Sequence, residues 1–356
     1  MFKERVYVCH TYYHVYVTLL KEFALQEADK GKATLVLSKM ATDFEKLQDR
    51  LQRLGIFEQI ITYDEKPFTY FKELDKYRTK QRNFLKKTIN RIIFTKKFAK
   101  LQEKYVPINF AEYKDVYVYC DSDPIGYYLN YKHIYYHSVE DGLNSLAHLD
   151  AARYDNRGNF RVKAFLAKHN FIFIQNGYSK YCVDVEVNKK EGIRYPMAKH
   201  KEVPRGELQQ RLTEEEKQLI IQAFVAEPDK LNGQLSQVKN GQKHILLLTE
   251  PLCDLETRKQ IFEDLIEVYS RQGVIVIKPH PRDELVYEDV FADYMILDKK
   301  VPMEVFNLLG PSAFDLVVSV LTDISEIRFA KNTVRLGQDF MDKYEAPEIH
   351  RQNEQF

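Results

Sequence analysis

Short apolar runs alternate with amphipathic stretches from the start of the chain. Residues 6–9, 33–37 and 60–63 are largely apolar, while 14–27 and 44–54 carry apolar positions at helical spacing. A strand covered on both faces reads as a continuous apolar run and a surface helix as a periodic stripe, so this rhythm predicts βαβ units on a parallel sheet. Further strands are predicted at 116–120 and 134–138, followed by a less regular region through 171–187. A polar, Lys/Glu-rich stretch at 188–216 reads as a linker and the opening of a helix.

A second set follows, with strands predicted at 244–248, 274–277, 294–297, 316–320 and 334–336 and helices at 255–270, 302–309 and 322–330. The expected fold class is therefore α/β, with two Rossmann-like doubly wound domains, 1–190 and 191–356, facing a cleft at the carboxyl ends of their sheets. No GxxxxGK[ST] or GxGxxG occurs, which removes the ordinary P-loop and dinucleotide readings.

Composition leaves that picture unchanged and narrows the partners. The 356 residues suit two domains, and 53 Lys+Arg against 52 Asp+Glu leave no bulk charge to attract nucleic acid. Cys9, Cys120, Cys182 and Cys253 are scattered without CxxC or Cys/His spacing, as expected of buried thiols in a reducing compartment and not of a zinc site or disulfide framework. The N-terminal apolar stretch is too short for a signal peptide and no segment reaches the ~20 apolar residues of a membrane span, which places the chain in the cytoplasm.

The clearest motif is KPHPRD, 278–283, directly after the apolar run 274–277. Pro279 and Pro281 fix the backbone on either side of His280 and bar a helix, so the imidazole and Arg282 are expected at the ligand edge of the sheet. His280 can donate to a phosphate oxygen or protonate a departing group, with Lys278 or Arg282 supplying charge; the plainer alternative is a proline-shaped turn. The second motif, Glu140-Asp141-Gly142, also ends a predicted strand. Adjacent acids in extended chain point opposite ways, so one can hold backbone while the other acts as a general base, with Gly142 permitting the turn; two solvated acids in a turn are the alternative.

Ser319 and Thr322, at the predicted junction of a buried strand with the helix 322–330, can offer hydroxyls and backbone N–H groups to a phosphate or simply cap that helix. His10, Thr11, Tyr13 and His14 follow the first strand and can contact a sugar or serve capping and packing, and Thr249 and Glu250 border the second sheet in the same way. Asp121-Ser122-Asp123 has the spacing of a cation-binding DxD pair, but Pro124 favours Asp123 as a helix cap. From Arg78 to Lys104 there are ten Lys/Arg and one acid among apolar residues at helical spacing, which fits a face resting on an anionic membrane or an ordinary solvated basic face.

In this order, CHTYYHVYVTLL at 9–20, EDG at 140–142, LLLTEP at 246–251, KPHPR at 278–282 and the segment around Ser319 make the chain resemble glycosyltransferase family 52, the bacterial lipooligosaccharide and capsule sialyltransferase-like group. The resemblance implies a two-domain glycosyltransferase fold of the B type, inverting and independent of metal or other cofactor, with CMP-sialic acid the family's characterised donor. It implies Asp141 as the base, Glu140 in support, and His280 binding or protonating the CMP phosphate across the cleft. Thr249, Glu250, Lys278, Pro281, Arg282, Ser319 and Thr322 would then bind donor, and His10, Tyr13, His14 and Gly142 a glycan acceptor, lipid-linked if the basic stretch meets membrane. The family tends to carry adjacent hydroxyl residues where Ser319 and Thr322 are separated by Val320 and Leu321. KPHP is also similar to an element of the CDP-glycerol and CDP-ribitol polyol-phosphate transferases. A non-catalytic carbohydrate- or nucleotide-binding protein of capsule assembly is a third reading.

Overall fold

The structure, a computed structural model, describes residues 2–40, 42–79, 83–119, 121–148, 150–226, 228, 231, 233, 242–310 and 313–350. The chain divides into two compact units, Met1–Glu216 and Lys217–Phe356.

The first unit is built on β1 (Lys3–Cys9), β2 (Ala33–Ser38), β3 (Gln59–Tyr63), β4 (Tyr113–Tyr119), β5 (Tyr136–Val139), β6 (Cys182–Val187) and β7 (His200–Glu202), a parallel sheet in the order β3-β2-β1-β4-β5-β6-β7. β2 is buried along its whole length and β1 from Arg5 onward, as strands covered on both faces must be. Its helices include α1 (Tyr12–Phe23), α2 (Glu45–Leu54), α3 (Phe84–Gln102), α4 (Pro124–Lys132), α5 (Phe160–Lys168) and α6 (Arg205–Gln210). Thr11 starts α1 by accepting the His14 N–H at 3.2 Å, and Gly55 ends α2 in the left-handed region at φ 64. α4 lies so close over the preceding turn that a Cβ on Gly126 would sit 2.0 Å from the Asp121 carbonyl oxygen.

Val6 pairs with Thr34 on one side and Val116 on the other. The chain builds outward from β1 to β3, then returns to the opposite flank with β4. The carboxyl ends of β1 and β4 thus form a topological switch point, where an open α/β sheet leaves a crevice for ligand.

The second unit repeats the plan with β8 (Lys243–Leu248), β9 (Gly273–Lys278), β10 (Met295–Ile296), β11 (Phe314–Ser319) and β12 (Ala330–Arg335), parallel in the order β10-β9-β8-β11-β12. Ile245, Leu247, Ile275, Ile277 and Val318 pack against Ile261, Phe262 and Leu265 of the helix Leu255–Ser270. The switch point here lies between β8 and β11.

Three expectations change. Residues 188–216 are not a linker: β7 extends the first sheet by pairing with β6, Val185 opposite His200, so a boundary at 190 would cut a sheet. The division falls instead within the helix Glu214–Phe224. The helix expected at 322–330 is irregular chain leading into β12 at Ala330, for a reason that lies in the site below the β11 end. Cys9 and Cys182 are buried, Cys253 is half-buried, and Cys120 lies outside the described residues. Among the described residues no helix is long and apolar enough to cross a membrane.

Candidate active site

At the switch point of the first unit, side chains from four strand ends converge. His10 leaves β1, Ser38 ends β2, Glu65 follows β3, and Asp123 follows β4. His10 Nε2 lies 2.6 Å from Glu65 Oε2 and 3.4 Å from Asp123 Oδ2. Glu65 also accepts the Ser38 hydroxyl at 2.8 Å and the Ile125 N–H at 2.7 Å, so it caps α4 from a distant loop. Asp123 stands at the expected N-cap position of α4, with Pro124 first in the helix, but makes no side-chain cap bond. Burial alone would depress the His10 pKa; Glu65, with Asp123 and Asp141 behind it, overrides that and lifts it to about 9. Burial, with the neighbouring Glu65 and Asp141 and against the His10 charge, pushes Asp123 up to about 7. A cationic His10 therefore offsets several acids, and its buried Nδ1 has no partner among the described residues.

His14 supplies the link to the EDG turn. Its ring is fully buried and stacks on Tyr119 with centroids 4.4 Å apart. Because Nδ1 accepts the His10 N–H at 3.0 Å, the neutral ring carries its proton on Nε2, which reaches Asp141 Oδ1 at 2.9 Å and the Asp141 carbonyl at 3.0 Å. Burial keeps the His14 pKa low, against the pull of Asp141, so this donor stays neutral. The Asp141 side chain is 57% exposed, a carboxylate clamped from behind and presented at the surface. Glu140 turns inward, where its two oxygens accept the Leu146 N–H at 3.1 Å and the Asn188 N–H at 2.9 Å. Burial raises its pKa, with those two backbone donors opposing. The left-handed residue of the turn is Asn144 (φ 56), not Gly142, whose added Cβ would meet only Ser145 Cβ at 3.9 Å.

His10 and His14, expected as acceptor contacts, are thus enclosed and spend their Nε2 atoms on Glu65 and Asp141. Tyr13 is half-buried and packs near Tyr16. The DxD pair is separated: Asp121 accepts the Asn176 N–H at 2.6 Å and the Tyr136 hydroxyl at 3.0 Å and is raised by burial to about 6, while Asp123 belongs to His10. Among the described residues no group of three or more His, Cys, Asp and Glu is arranged to hold a metal ion.

In the second unit, KPHPRD turns at the end of β9. His280 N–H donates to Thr249 Oγ1 at 3.0 Å, whose hydroxyl donates to Asp283 Oδ2 at 2.9 Å. Asp283 is buried and accepts in addition from Arg258 Nη1 at 2.6 Å, the Tyr287 hydroxyl at 3.0 Å and the Leu285 N–H at 3.1 Å. His280 Nδ1 accepts the Arg282 N–H at 3.1 Å, so the neutral imidazole again carries its proton on Nε2. Burial, with the Arg282 and Lys278 charges and against Asp283, lowers the His280 pKa to about 4. It is a neutral donor near neutral pH, which favours hydrogen bonding to a phosphate over delivery of a proton held in advance. Arg282 and Pro281 are exposed beside it. Lys278 is not: its buried Nζ donates to the carbonyls of Pro279 (2.9 Å) and Lys299 (3.1 Å), and burial lowers its pKa to about 8.

The β11 end explains the missing helix. The N–H groups of Val320, Leu321 and Thr322 all converge on Glu250 Oε1, at 3.2, 2.8 and 2.7 Å, and the Ser319 hydroxyl donates to the Thr322 carbonyl at 3.0 Å. Three successive N–H groups around one oxygen make an anion nest, and here the chain's own buried carboxylate fills it. Of the donors read as open to phosphate, the Thr322 N–H is therefore taken by Glu250 and the Ser319 hydroxyl by the Thr322 carbonyl. Glu65, Arg258 and Asp283 were not singled out in the sequence as site residues. Neither was Glu304, a half-buried acid raised by burial against the pull of the Lys278 charge. Only the contiguity of Asp283 with KPHPR was a local signal.

An uncharacterized Haemophilus influenzae protein is 31% identical over 102 residues, 27% of this chain and 31% of that one, so the chain spans less than a third of the length of the curated relative it matches. Among solved structures, the α/β-galactoside α-2,3-sialyltransferase of the luminous marine bacterium Photobacterium phosphoreum has a TM-score of 0.51 at 13% identity, over 92% of this chain and 89% of that one. The 2,6-sialyltransferase of Photobacterium sp. JT-ISH-224, solved with the donor product CMP and the acceptor substrate lactose, also has a TM-score of 0.51, at 10% identity over 93% and 71% of the two chains. At such identities the likeness is one of fold, two Rossmann-like units of the B type. The model of glycosyltransferase family 52 matches residues 53–319, three quarters of the sequence, and the chain belongs to that family.

Proposed function

We propose that this protein is an inverting, metal-independent glycosyltransferase of the sialyltransferase kind, moving sialic acid from CMP to a glycan acceptor. The observation that carries the reading is the Asp141 carboxylate, exposed at the switch point and held from behind by the neutral donor His14. Asp141 takes the proton from the acceptor hydroxyl as that oxygen bonds to the anomeric carbon of the donor sugar. The bond from that carbon to the CMP phosphate breaks, its electron pair leaves with the phosphate, and inversion follows from a single displacement. The His280 Nε2–H meets the charge gathering on the phosphate, with Arg282 exposed beside it. Glu140 supports by fixing the EDG turn to the Leu146 and Asn188 backbones.

On this reading the first unit binds acceptor, near Tyr13 and the open turn at Gly142, and the second binds donor around Thr249, Pro281 and Arg282. The acceptor is a cell-surface oligosaccharide or polysaccharide under assembly on a lipid, at the inner face of the membrane. The exposed end of α3 supports the lipid.

The test incubates purified protein with CMP-sialic acid and lactose, with and without EDTA, and follows CMP release and product linkage. CMP release that EDTA leaves intact, and that Asp141→Asn and His280→Ala abolish, is the expected result. Turnover of CDP-glycerol or CDP-ribitol in its place would move the chain to polyol-phosphate transfer. Wild-type activity in both variants would remove the assigned site, and ligand-dependent thermal stabilisation without turnover would make the protein a binding module.

A further inference from the structure

The start of α3 is built against two ordinary rules. A helix N-terminus carries partial positive charge and favours acids in its first turn, whereas α3 has none there and instead carries Lys86 and Lys87. Large apolar side chains seek burial, yet Phe84, Leu85 and Ile89 on the same turns are 53, 70 and 55% exposed. The rest of the helix is firmly seated. Phe98 and Ala99 are buried, Phe98 packs with Phe71 and Leu74, Arg91 donates to Asn156 Oδ1, and Lys96 donates to the Asn170 carbonyl at 2.6 Å. Asn83 caps the first turn by accepting the Lys86 N–H at 3.2 Å. The exposed end is therefore a formed helix presented outward.

The charge is concentrated as well as exposed. Α-helix α3 has six Lys/Arg and no acid, in a chain whose net charge is +1. Lys163 of α5 lies close enough to Arg91 and Lys87 for their charges to depress it, after the larger effect of its own burial. Apolar side chains ringed by lysines match the boundary of an anionic bilayer, where the apolar groups enter the acyl region and the ammonium groups meet lipid phosphates. A soluble protein partner would satisfy the apolar groups without requiring so one-signed a ring.

We infer that Phe84, Leu85 and Ile89, with Lys86 and Lys87, form a docking surface for an anionic lipid bilayer. The surface stands on its own geometry and does not depend on the reading of Asp141 and His280.

Purified full-length protein is co-sedimented with vesicles of phosphatidylcholine alone and of phosphatidylcholine with phosphatidylglycerol, at low and high salt. Binding is expected only to the anionic vesicles, weakened by salt, with a loss of roughly fivefold for each lysine removed in Lys86→Ser and Lys87→Ser. Leu85→Ser with Ile89→Ser should abolish binding while the circular dichroism spectrum and melting temperature stay those of wild type, which shows that the variant is folded. Three results would overturn the inference: no binding to anionic vesicles at low salt, equal binding by wild type and variants, or light scattering that shows a dimer which Leu85→Ser dissociates. The last would give the surface to a second copy of the chain.

Discussion

Replacing Arg258 by Met tests the idea that the His280 turn is held by a buried ion pair. Arg258 and Asp283 side chains are 6% and 0% exposed, with Nη1 and Oδ1 2.6 Å apart. Removing one member of such a pair leaves the other charge in a dry interior, at a cost of about 3–5 kcal/mol. The remaining donors, Thr249, Tyr287 and the Leu285 N–H, soften that cost without supplying the missing charge. A loss of about 3 kcal/mol is therefore expected, a fall of about 10 °C in the melting temperature of the second unit. Catalysis should fall too, because Asp283 positions the Thr249 hydroxyl and Thr249 accepts the His280 N–H. Scanning calorimetry on wild type, Arg258→Met, Asp283→Asn and the double variant measures the coupling. The double variant should be more stable than the two single losses predict, since neither leaves an unpaired charge once both are made. Additive losses, or a single loss under about 1 kcal/mol, would refute the reasoning.

His14→Ala should lower kcat by about tenfold with little change in KM for the donor, as expected for loss of one hydrogen bond to a carboxylate; kcat within about twofold of wild type would release His14 from holding the base. The His280 ring resonance should titrate at about 4, leaving no inflection from this residue in the activity profile near neutral pH; a midpoint near its ordinary value would restore it as a proton donor. His10, raised from 6.5 to about 9, contributes stability that is complete below the lower value and lost as pH climbs through the higher, so the first unit should melt progressively earlier across that window. Glu65→Gln should flatten the slope, and an unchanged slope would assign it elsewhere. Glu250→Ala should empty the nest at Val320 to Thr322, so that inorganic phosphate raises the melting temperature of the variant but not of wild type; equal responses would mean that the nest collapses without its carboxylate.

The apolar runs of β1, β2, β8 and β9 were legible because most of their residues are buried, so that each strand reads as a nearly continuous apolar segment. The motifs at their ends were legible for the same reason, since a conspicuous residue just past a buried strand can only stand at the ligand edge. What could not be read locally were partnerships between distant loops. Glu65 sits in an unremarkable polar turn and acquires meaning only when β3 brings it to His10 and α4. Glu250 was noticed, but its tenancy of the β11 nest required the spatial adjacency of β8 and β11. The polar stretch after 188 looked like a linker because β7 is three residues long at the edge of the sheet, with two of the three exposed.

The pairing of β1 with β4 has a consequence for how the molecule comes into being. Their register joins Lys3 to Tyr113, 110 residues apart in the chain, and the acid-imidazole cluster lies across that seam. Contacts between such remote segments require a large chain loop to close before any attraction is returned, so they form slowly and late. During synthesis, the N-terminal strand can pair early with β2 but must wait for more than a hundred further residues to emerge before its β4 neighbour exists. An intact acid-imidazole cluster is thus a stringent reporter of complete assembly: a chain with native-like helices but an unsealed seam would not bring His10 to Asp123.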